Sequence, residues 1–329
     1  MDGFTLAFSE ITLVLFTTLA PSGAVAYLVM GLPVLAGRAR GEAARRLNKW
    51  ACLPLVVAMV GLIASATHLG NPSNALYVFT GVGRSPLSTE VFAAVIFLAL
   101  AGVFWLYSFA EHPRIGLQRG LLAVIDVAIV AFVIAVAFAY NVDTILTWSL
   151  PLVPVSLMLN SLFGGPLLAF AGFAVADYDP GRRGAHVLLA LATAACVANV
   201  AVYAVLGFQL QDIENELVSA ASLVAGYPVY LAAFALFAAG ALILAWRAET
   251  KRESRRLAAD RPLPGGAAAE RSGDARAAEE AESERTVVAP MTAKRSRAPL
   301  VVASILAFAA LFLMRFTFYM SHLTVGLGV

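Results

Sequence analysis

The sequence predicts an all-α integral membrane protein of eight transmembrane helices, with both termini on the non-cytoplasmic side. Three observations predict it. Hydrophobic residues make up 60% of the 329 and charged residues only 13%, with a mean hydropathy of +0.81. A soluble domain of this length needs far more surface charge, so the solvent for most of the chain is lipid. Eight apolar runs reach the ~20 residues that a helix needs to cross the hydrocarbon. The basic residues, finally, are segregated between alternate loops.

The runs are 9–33, 50–68, 89–110, 119–140, 151–176, 185–208, 228–247 and 299–321. Hydrocarbon offers no water to a free N–H or C=O, so each run is read as a helix. The segments after the odd-numbered helices hold 21 of the 23 lysines and arginines. These are Arg38, Arg40, Arg45, Arg46 and Lys49, then Arg114 and Arg119, then Arg182 and Arg183, and twelve from Arg247 to Arg297. Arg84 is the single basic residue of the opposite loops, and Arg315 lies inside the eighth run. The positive-inside rule puts the basic set in the cytoplasm and both chain ends outside. Asp2, Asp143, Asp212, Glu214 and Glu216 face the other way. The partner this pattern implies is a lipid bilayer rather than a nucleic acid.

Three stretches organise the chain: helices one to seven in 1–247, a charged cytoplasmic loop in 248–298, and the eighth helix with its outer C-terminus in 299–329. The loop has eleven basic and nine acidic residues and few large apolar ones. It cannot bury a core and is read as a disordered linker, with the seventh helix extended through Lys251–Leu257. Cys52 and Cys196 both fall in apolar runs, which leaves neither a disulfide framework nor a cysteine-ligated iron–sulfur cluster in this polypeptide. Met-Asp-Gly-Phe carries no basic stretch ahead of the first apolar run, so that run is read as an uncleaved helix. The first and fifth helices run in the same direction. Each is expected to be interrupted near its middle, at Pro21-Ser22-Gly23 and at Gly164-Gly165-Pro166, which is compatible with two four-helix bundles related along the membrane normal.

An ionisable group inside the bilayer costs about 2.5–3.5 kcal/mol at a helix centre, so each one in a run is a candidate for function. By direction of travel His68 ends the second helix on the outer side and Glu90 starts the third there. Arg315 lies in the outer half of the eighth, His322 follows it, and Asn160 and Asn199 sit at middle or outer depth of the fifth and sixth. Each also has a structural reading: an interfacial histidine, a helix-start carboxylate against the dipole, a snorkelling arginine, asparagines as interhelical glue. Together they suggest a polar pocket open to the outer side, of the kind a quinone needs. Asp126, in the inner third of the fourth helix, is expected to pair with a neighbouring helix.

The segment Ala64-Ser65-Ala66-Thr67-His68-Leu69-Gly70-Asn71-Pro72 continues through Val82-Gly83 to Leu87-Ser88-Thr89-Glu90. A second runs Tyr140-Asn141-Val142-Asp143-Thr144, then Thr147-Trp148, then Phe163-Gly164-Gly165-Pro166-Leu167-Leu168. On these the protein resembles the DmsC family, the membrane anchor subunits of dimethyl sulfoxide reductase, within the wider NrfD and polysulfide-reductase group of quinol-interacting anchors. The resemblance covers helices one to five, and the later three match in hydropathy. It implies a prokaryotic cytoplasmic (inner) membrane, anaerobic respiration, and a haem-free anchor that oxidises menaquinol near the outer face. Electrons would pass to an iron–sulfur subunit and then to a molybdopterin catalytic subunit, both on the outer face.

Carried over residue by residue, His68 and Glu90 take the quinol-site positions, with Arg315 and Asn199 as further quinol-binding candidates. His68 would accept a hydrogen bond from a quinol hydroxyl, and Glu90 would pass the proton to outer water. The family often has an arginine six residues after this histidine. Here that position is Asn74, so Arg84 or Arg315 would have to supply the cation. Three other readings compete. An NrfD-type anchor has the same core and task. A haem-b anchor needs facing histidines, for which His68 and His322 are the candidate pair. A transporter is suggested by the paired helix breaks.

Overall fold

The computed structural model describes residues 2–68, 72–259 and 297–325. Asp2 caps the short helix α1 (Gly3–Ser9), its Oδ1 accepting from the Thr5 amide at 2.8 Å. The chain turns at Glu10 into α2 (Ile11–Leu35) and reaches α3 (Gly41–Trp50) and α4 (Cys52–Thr67). A stretch of 3₁₀ helix, Pro72–Gly81, leads to α5 (Pro86–Tyr107). There follow α6 (Ile115–Ala139), α7 (Leu152–Val175), α8 (Gly181–Gln209), the single turn α9 (Ala220–Leu223), α10 (Tyr227–Ala259) and α11 (Arg297–Met320). Eight of these units, α3 and α4 counting as one, are long and apolar enough to cross a membrane.

The edges differ from expectation where local chemistry moves them. Ser85 accepts from the Ser88 amide and Pro86 occupies the first turn, so α5 starts earlier than residue 89. The second span gains a polar preamble: α3 carries Glu42, Arg45, Arg46 and Lys49, and the chain bends at Ala51, where Trp105 Nε1 donates to the Lys49 carbonyl at 3.0 Å. The seventh span runs on as helix through Lys251–Leu257 to Ala259. The rest of the long loop, 260–296, lies outside the described residues.

The expected interruptions of the first and fifth helices are absent. Both α2 and α7 are continuous through Pro21 and Pro166. Their small residues serve packing instead. A Cβ on Gly165 would lie 2.5 Å from Val25 Cγ1, one on Gly164 would lie 2.8 Å from Ser22 Oγ, and one on Gly172 would lie 2.2 Å from Met30 Sδ. Gly23 faces α4 as closely, 2.7 Å from the Ala58 amide nitrogen. Small residues let helix backbones approach where lipid supplies no hydrophobic drive for association. As a result α2 and α7 form the centre, with 78% and 72% of their spans buried, against 28–33% for α4, α5, α6, α8 and α10. The exposed faces of the outer helices carry Ile63, Val103, Val127, Val197 and Leu236, as a lipid-facing surface requires.

Both described ends of the polypeptide lie at one end of the bundle: α1 packs on α11, and a Cβ on Gly3 would come within 2.9 Å of the Met320 carbonyl oxygen. Here the segment after α11 stitches the loops together. Leu146 N donates to Leu323 O at 2.9 Å, Val325 N to Thr144 O at 3.2 Å, and Thr147 Oγ1 to Ser321 O at 2.6 Å. The opposite end carries the basic residues, tied by acids. Arg182 pairs with Glu253 at 2.8 Å, Arg297 with Asp177 at 3.0 Å, and Arg252 with Asp179 and Glu249.

Candidate functional site

The end that carries both termini also holds buried polar side chains from several helices. Arg315 is fully buried in the last turns of α11. Its Nε donates to Thr17 Oγ1 of α2 at 2.9 Å, while Nη1 and Nη2 have no hydrogen-bond partner. Pro21 has no N–H, which leaves the Thr17 carbonyl without its helical donor in the same turn. Three rings surround the guanidinium: Phe318 at 4.1 Å, Tyr319 at 5.3 Å and Tyr140 at 5.6 Å. The aromatic faces carry negative charge density and hold the cation where no carboxylate pairs with it among the described residues. Arg315 does not snorkel to the surface.

Glu90, one turn into α5, is 1% exposed, and its Oε2 has no hydrogen-bond partner. It does not act as a water-facing helix-start carboxylate. It lies within electrostatic range of Tyr140, which also feels Arg315. Tyr140 thus feels both the buried acid and the buried base. The Tyr140 ring packs against Trp148 at 5.9 Å and Tyr319 at 6.1 Å, and the Tyr319 hydroxyl lies among Tyr140, Thr17 and Arg315 without a hydrogen bond of good geometry. A buried acid, base and phenol that each keep at least one polar atom without a hydrogen bond of good geometry, at one end of one bundle, is a costly arrangement for structure alone.

His68 caps the end of α4 and is partly exposed. No hydrogen bond or ion pair joins it to Glu90. Its Nε2 instead lies 3.4 Å from Glu10 Oε2, at the α1–α2 junction. His322 lies within electrostatic range of the same carboxylate and stacks on Trp148 at 5.0 Å. Trp148 stacks in turn on Phe318 at 4.8 Å, the ring that holds Arg315. Glu10 and Thr17 are seven residues apart, two turns or about 10 Å along α2. His68, His322 and Arg315 therefore border one continuous strip, whose connecting residues are Glu10, Thr17, Tyr140, Trp148 and Tyr319.

The asparagines lie elsewhere in this end. Asn199 Nδ2 donates to Asn160 Oδ1 at 2.6 Å, and Tyr203 Oη donates to the same oxygen at 3.0 Å. This joins α7 to α8, while Asn199 Oδ1 and Asn160 Nδ2 remain without partners. A small cavity of about 30 Å³ adjoins this knot, lined among others by Thr147, Tyr203, Tyr227, Met314, Phe318 and Ser321. None of His68, Glu90, Arg315 or Asn199 lines it. Asp126 does not form the expected interhelical pair: its Oδ1 has no hydrogen-bond partner, and Tyr27 of α2 is within electrostatic range. Arg84 is exposed, and the Asn74 side chain lies outside the described residues.

The family described as DMSO reductase anchor subunit (DmsC) matches residues 5–259. The protein belongs to the DmsC family. It is 32% identical over 219 residues to the C subunit of the anaerobic dimethyl sulfoxide reductase of Escherichia coli (strain K12), an alignment that covers 66% of this sequence and 76% of that one. The corresponding C subunit of Haemophilus influenzae is 31% identical over 67% of this sequence and 78% of its own length. A second E. coli protein, the YnfH subunit of an anaerobic dimethyl sulfoxide reductase, is 30% identical over 66% and 75%. Eight apolar helices in a DmsC-family anchor make this a multi-pass membrane protein.

Two features of this DmsC-family site had no sequence signal strong enough to single them out. Glu10 stands at the edge of the first run and reads as a terminal polar residue. Tyr140 and Trp148 stand in the stretch that carries the family resemblance, and Tyr319 in an apolar run, with nothing to tie them to Arg315. The segment after α11, hydrogen-bonded to the 141–150 loop, holds Trp148 near the ring that covers Arg315.

Proposed function

We propose that this protein is the quinol-oxidising membrane anchor of a DMSO-reductase-type complex, in a prokaryotic cytoplasmic membrane with both termini outside. The observation that carries the proposal is the buried set Glu90, Arg315 and Tyr319, whose Oε2, Nη1 and Nη2, and hydroxyl lack hydrogen bonds of good geometry, at the end of the bundle where His68 lies. A dihydroxy-aromatic substrate supplies the two hydroxyls and the ring that such a set lacks partners for. His68, at the membrane edge, accepts the proton of one hydroxyl. Glu90, shielded from water, accepts a hydrogen bond from the other. The Arg315 guanidinium stabilises negative charge that develops on the quinol oxygen as its proton leaves, a role worth most where water is excluded. Menaquinol is the substrate class. The second hydroxyl's proton leaves through His68 after the first has been passed on, and the two electrons leave to an iron–sulfur subunit, which feeds a molybdopterin catalytic subunit.

That partner sits on the end with both termini, over the loops 69–88, 141–150 and 209–227. Electron tunnelling needs a cluster near the quinol, and the basic end is a bilayer away, ~30 Å. These loops carry Asp143, Asp212, Glu214 and Glu216 against Arg84, so the partner's facing surface is basic or neutral. Protons and electrons leave on the same side, and turnover builds no membrane potential.

The test is oxidation of a reduced naphthoquinol by membranes holding the whole complex. His68→Asn and Glu90→Gln should abolish it while activity with a soluble artificial donor to the catalytic subunit persists. Normal quinol turnover in both variants would overturn the proposal.

A further inference from the structure

The carboxylate nearest His68 is Glu10, and no motif in the sequence pointed to it. Glu10 caps the end of α1 and opens α2 with φ −98° and ψ 17°, a bend that turns its side chain toward the end of α4. Its Oε2 is shielded and accepts no hydrogen bond of good geometry, yet lies 3.4 Å from His68 Nε2. The side chain as a whole is 24% exposed, against 43% for His68. It therefore has one oxygen against the imidazole and a route to solvent. Glu90 has no such route at 1% exposure. A second imidazole, His322 in the segment after α11, lies within electrostatic range of Glu10. Nothing but α1, α4 and the end of α11 is needed to gather this glutamate with its two histidines.

We infer that Glu10 is the proton-relay residue of the site: it takes the proton that His68 receives from the quinol and delivers it to water at the end carrying the termini. This rests on the quinol reading above. The step balances. The quinol hydroxyl gives its proton to the free His68 nitrogen, and the imidazolium passes one to the Glu10 carboxylate. Glu10 then loses it to water, the second hydroxyl's proton follows the same path once the imidazole is neutral again, and the two electrons go to the iron–sulfur partner. The 3.4 Å approach suits this sequence, because an imidazolium beside a carboxylate is stabilised at the moment it forms. Glu10 touches His68 and not the substrate, so it positions and relays rather than catalyses.

The experiment uses the intact complex in membranes and a reduced naphthoquinol as donor. Glu10→Gln should lower turnover about tenfold or more, with a larger solvent deuterium isotope effect and little change in KM. Added imidazole, a small diffusible proton carrier, should restore much of the rate, as a purely structural defect would not allow. Glu10→Asp should retain part of the activity, and it serves as the test variant if the glutamine form fails to assemble with its partner. Normal turnover in Glu10→Gln, or a loss that neither imidazole nor Glu10→Asp reverses, overturns the relay. His68→Asn in the same membranes separates the two failures. If it stays active, the quinol reading itself has failed; if it is dead while Glu10→Gln is normal, only the relay is wrong.

Discussion

Replacing Arg315 by methionine separates a functional buried cation from a structural one. An arginine at a span centre costs about 2.5–3.5 kcal/mol on insertion scales. Against this, the charge-assisted hydrogen bond to Thr17 contributes about 1.5–3 kcal/mol. Contact with Phe318 at 4.1 Å adds about 0.5–2 kcal/mol. The two sides cancel to within a few kcal/mol, so the side chain adds little net stability. Methionine keeps an apolar stem of similar length in the aromatic cage. Thermal melting of the purified complex should therefore shift by no more than about 1–2 kcal/mol equivalent. Naphthoquinol turnover, by contrast, should fall about 10²–10³-fold, as when one donor to a developing oxyanion is removed. Arg315→Lys keeps the charge without the planar fork and should fall between the two. Normal turnover in Arg315→Met, or a melting loss large enough to disassemble the complex, would refute the reasoning.

The close packing of α2 on α7 gives a contrast within one protein. Gly165→Ala, whose Cβ would meet Val25 at 2.5 Å, should lower stability by about 1–3 kcal/mol. Gly102→Ala, with nothing within 4 Å, should not, and melting of both variants decides it. For topology, single cysteines at Glu216 and Ala267, in a protein with Cys52 and Cys196 replaced, should label from opposite sides of sealed cells. Labelling from one side would break the eight-span arrangement. Burial lowers the pKa of His322, and Glu10 opposes this. In that window the unfolded state binds the extra proton, so stability is full above about pH 6.5 and declines as pH falls below it. His322→Gln should flatten that decline in melting curves taken across pH.

The spans were legible because a bilayer imposes one length and one polarity on every crossing helix. Their inner architecture was not. Pro21 and Pro166 read as breaks, yet a membrane helix tolerates proline when its neighbours pack closely, and Gly164, Gly165 and Gly172 admit that packing. His68 and Glu90 stood out because each is ionisable at the edge of an apolar run. Their relation was invisible, since hydropathy gives depth but not which helix face a side chain occupies. Glu90 thus lies inward beside Tyr140, and His68 faces Glu10, a residue at the other end of a different helix. Arg315 was legible as costly and illegible as caged, because Phe318 and Tyr319 share its helix but Tyr140 comes from 175 positions earlier. Asn160 and Asn199 read as interhelical glue, and Asn199 also as a quinol ligand. The structure gives them to each other and to Tyr203, with one polar atom of each still free.

The most direct measurement is reduction of the partner's iron–sulfur clusters by a reduced naphthoquinol in the purified complex, followed by electron paramagnetic resonance. The wild-type complex should show the reduced-cluster signal soon after quinol is added. His68→Asn and Glu90→Gln should show none with quinol and a full signal with dithionite, which bypasses the anchor. An undiminished quinol-driven signal in both variants would contradict the account.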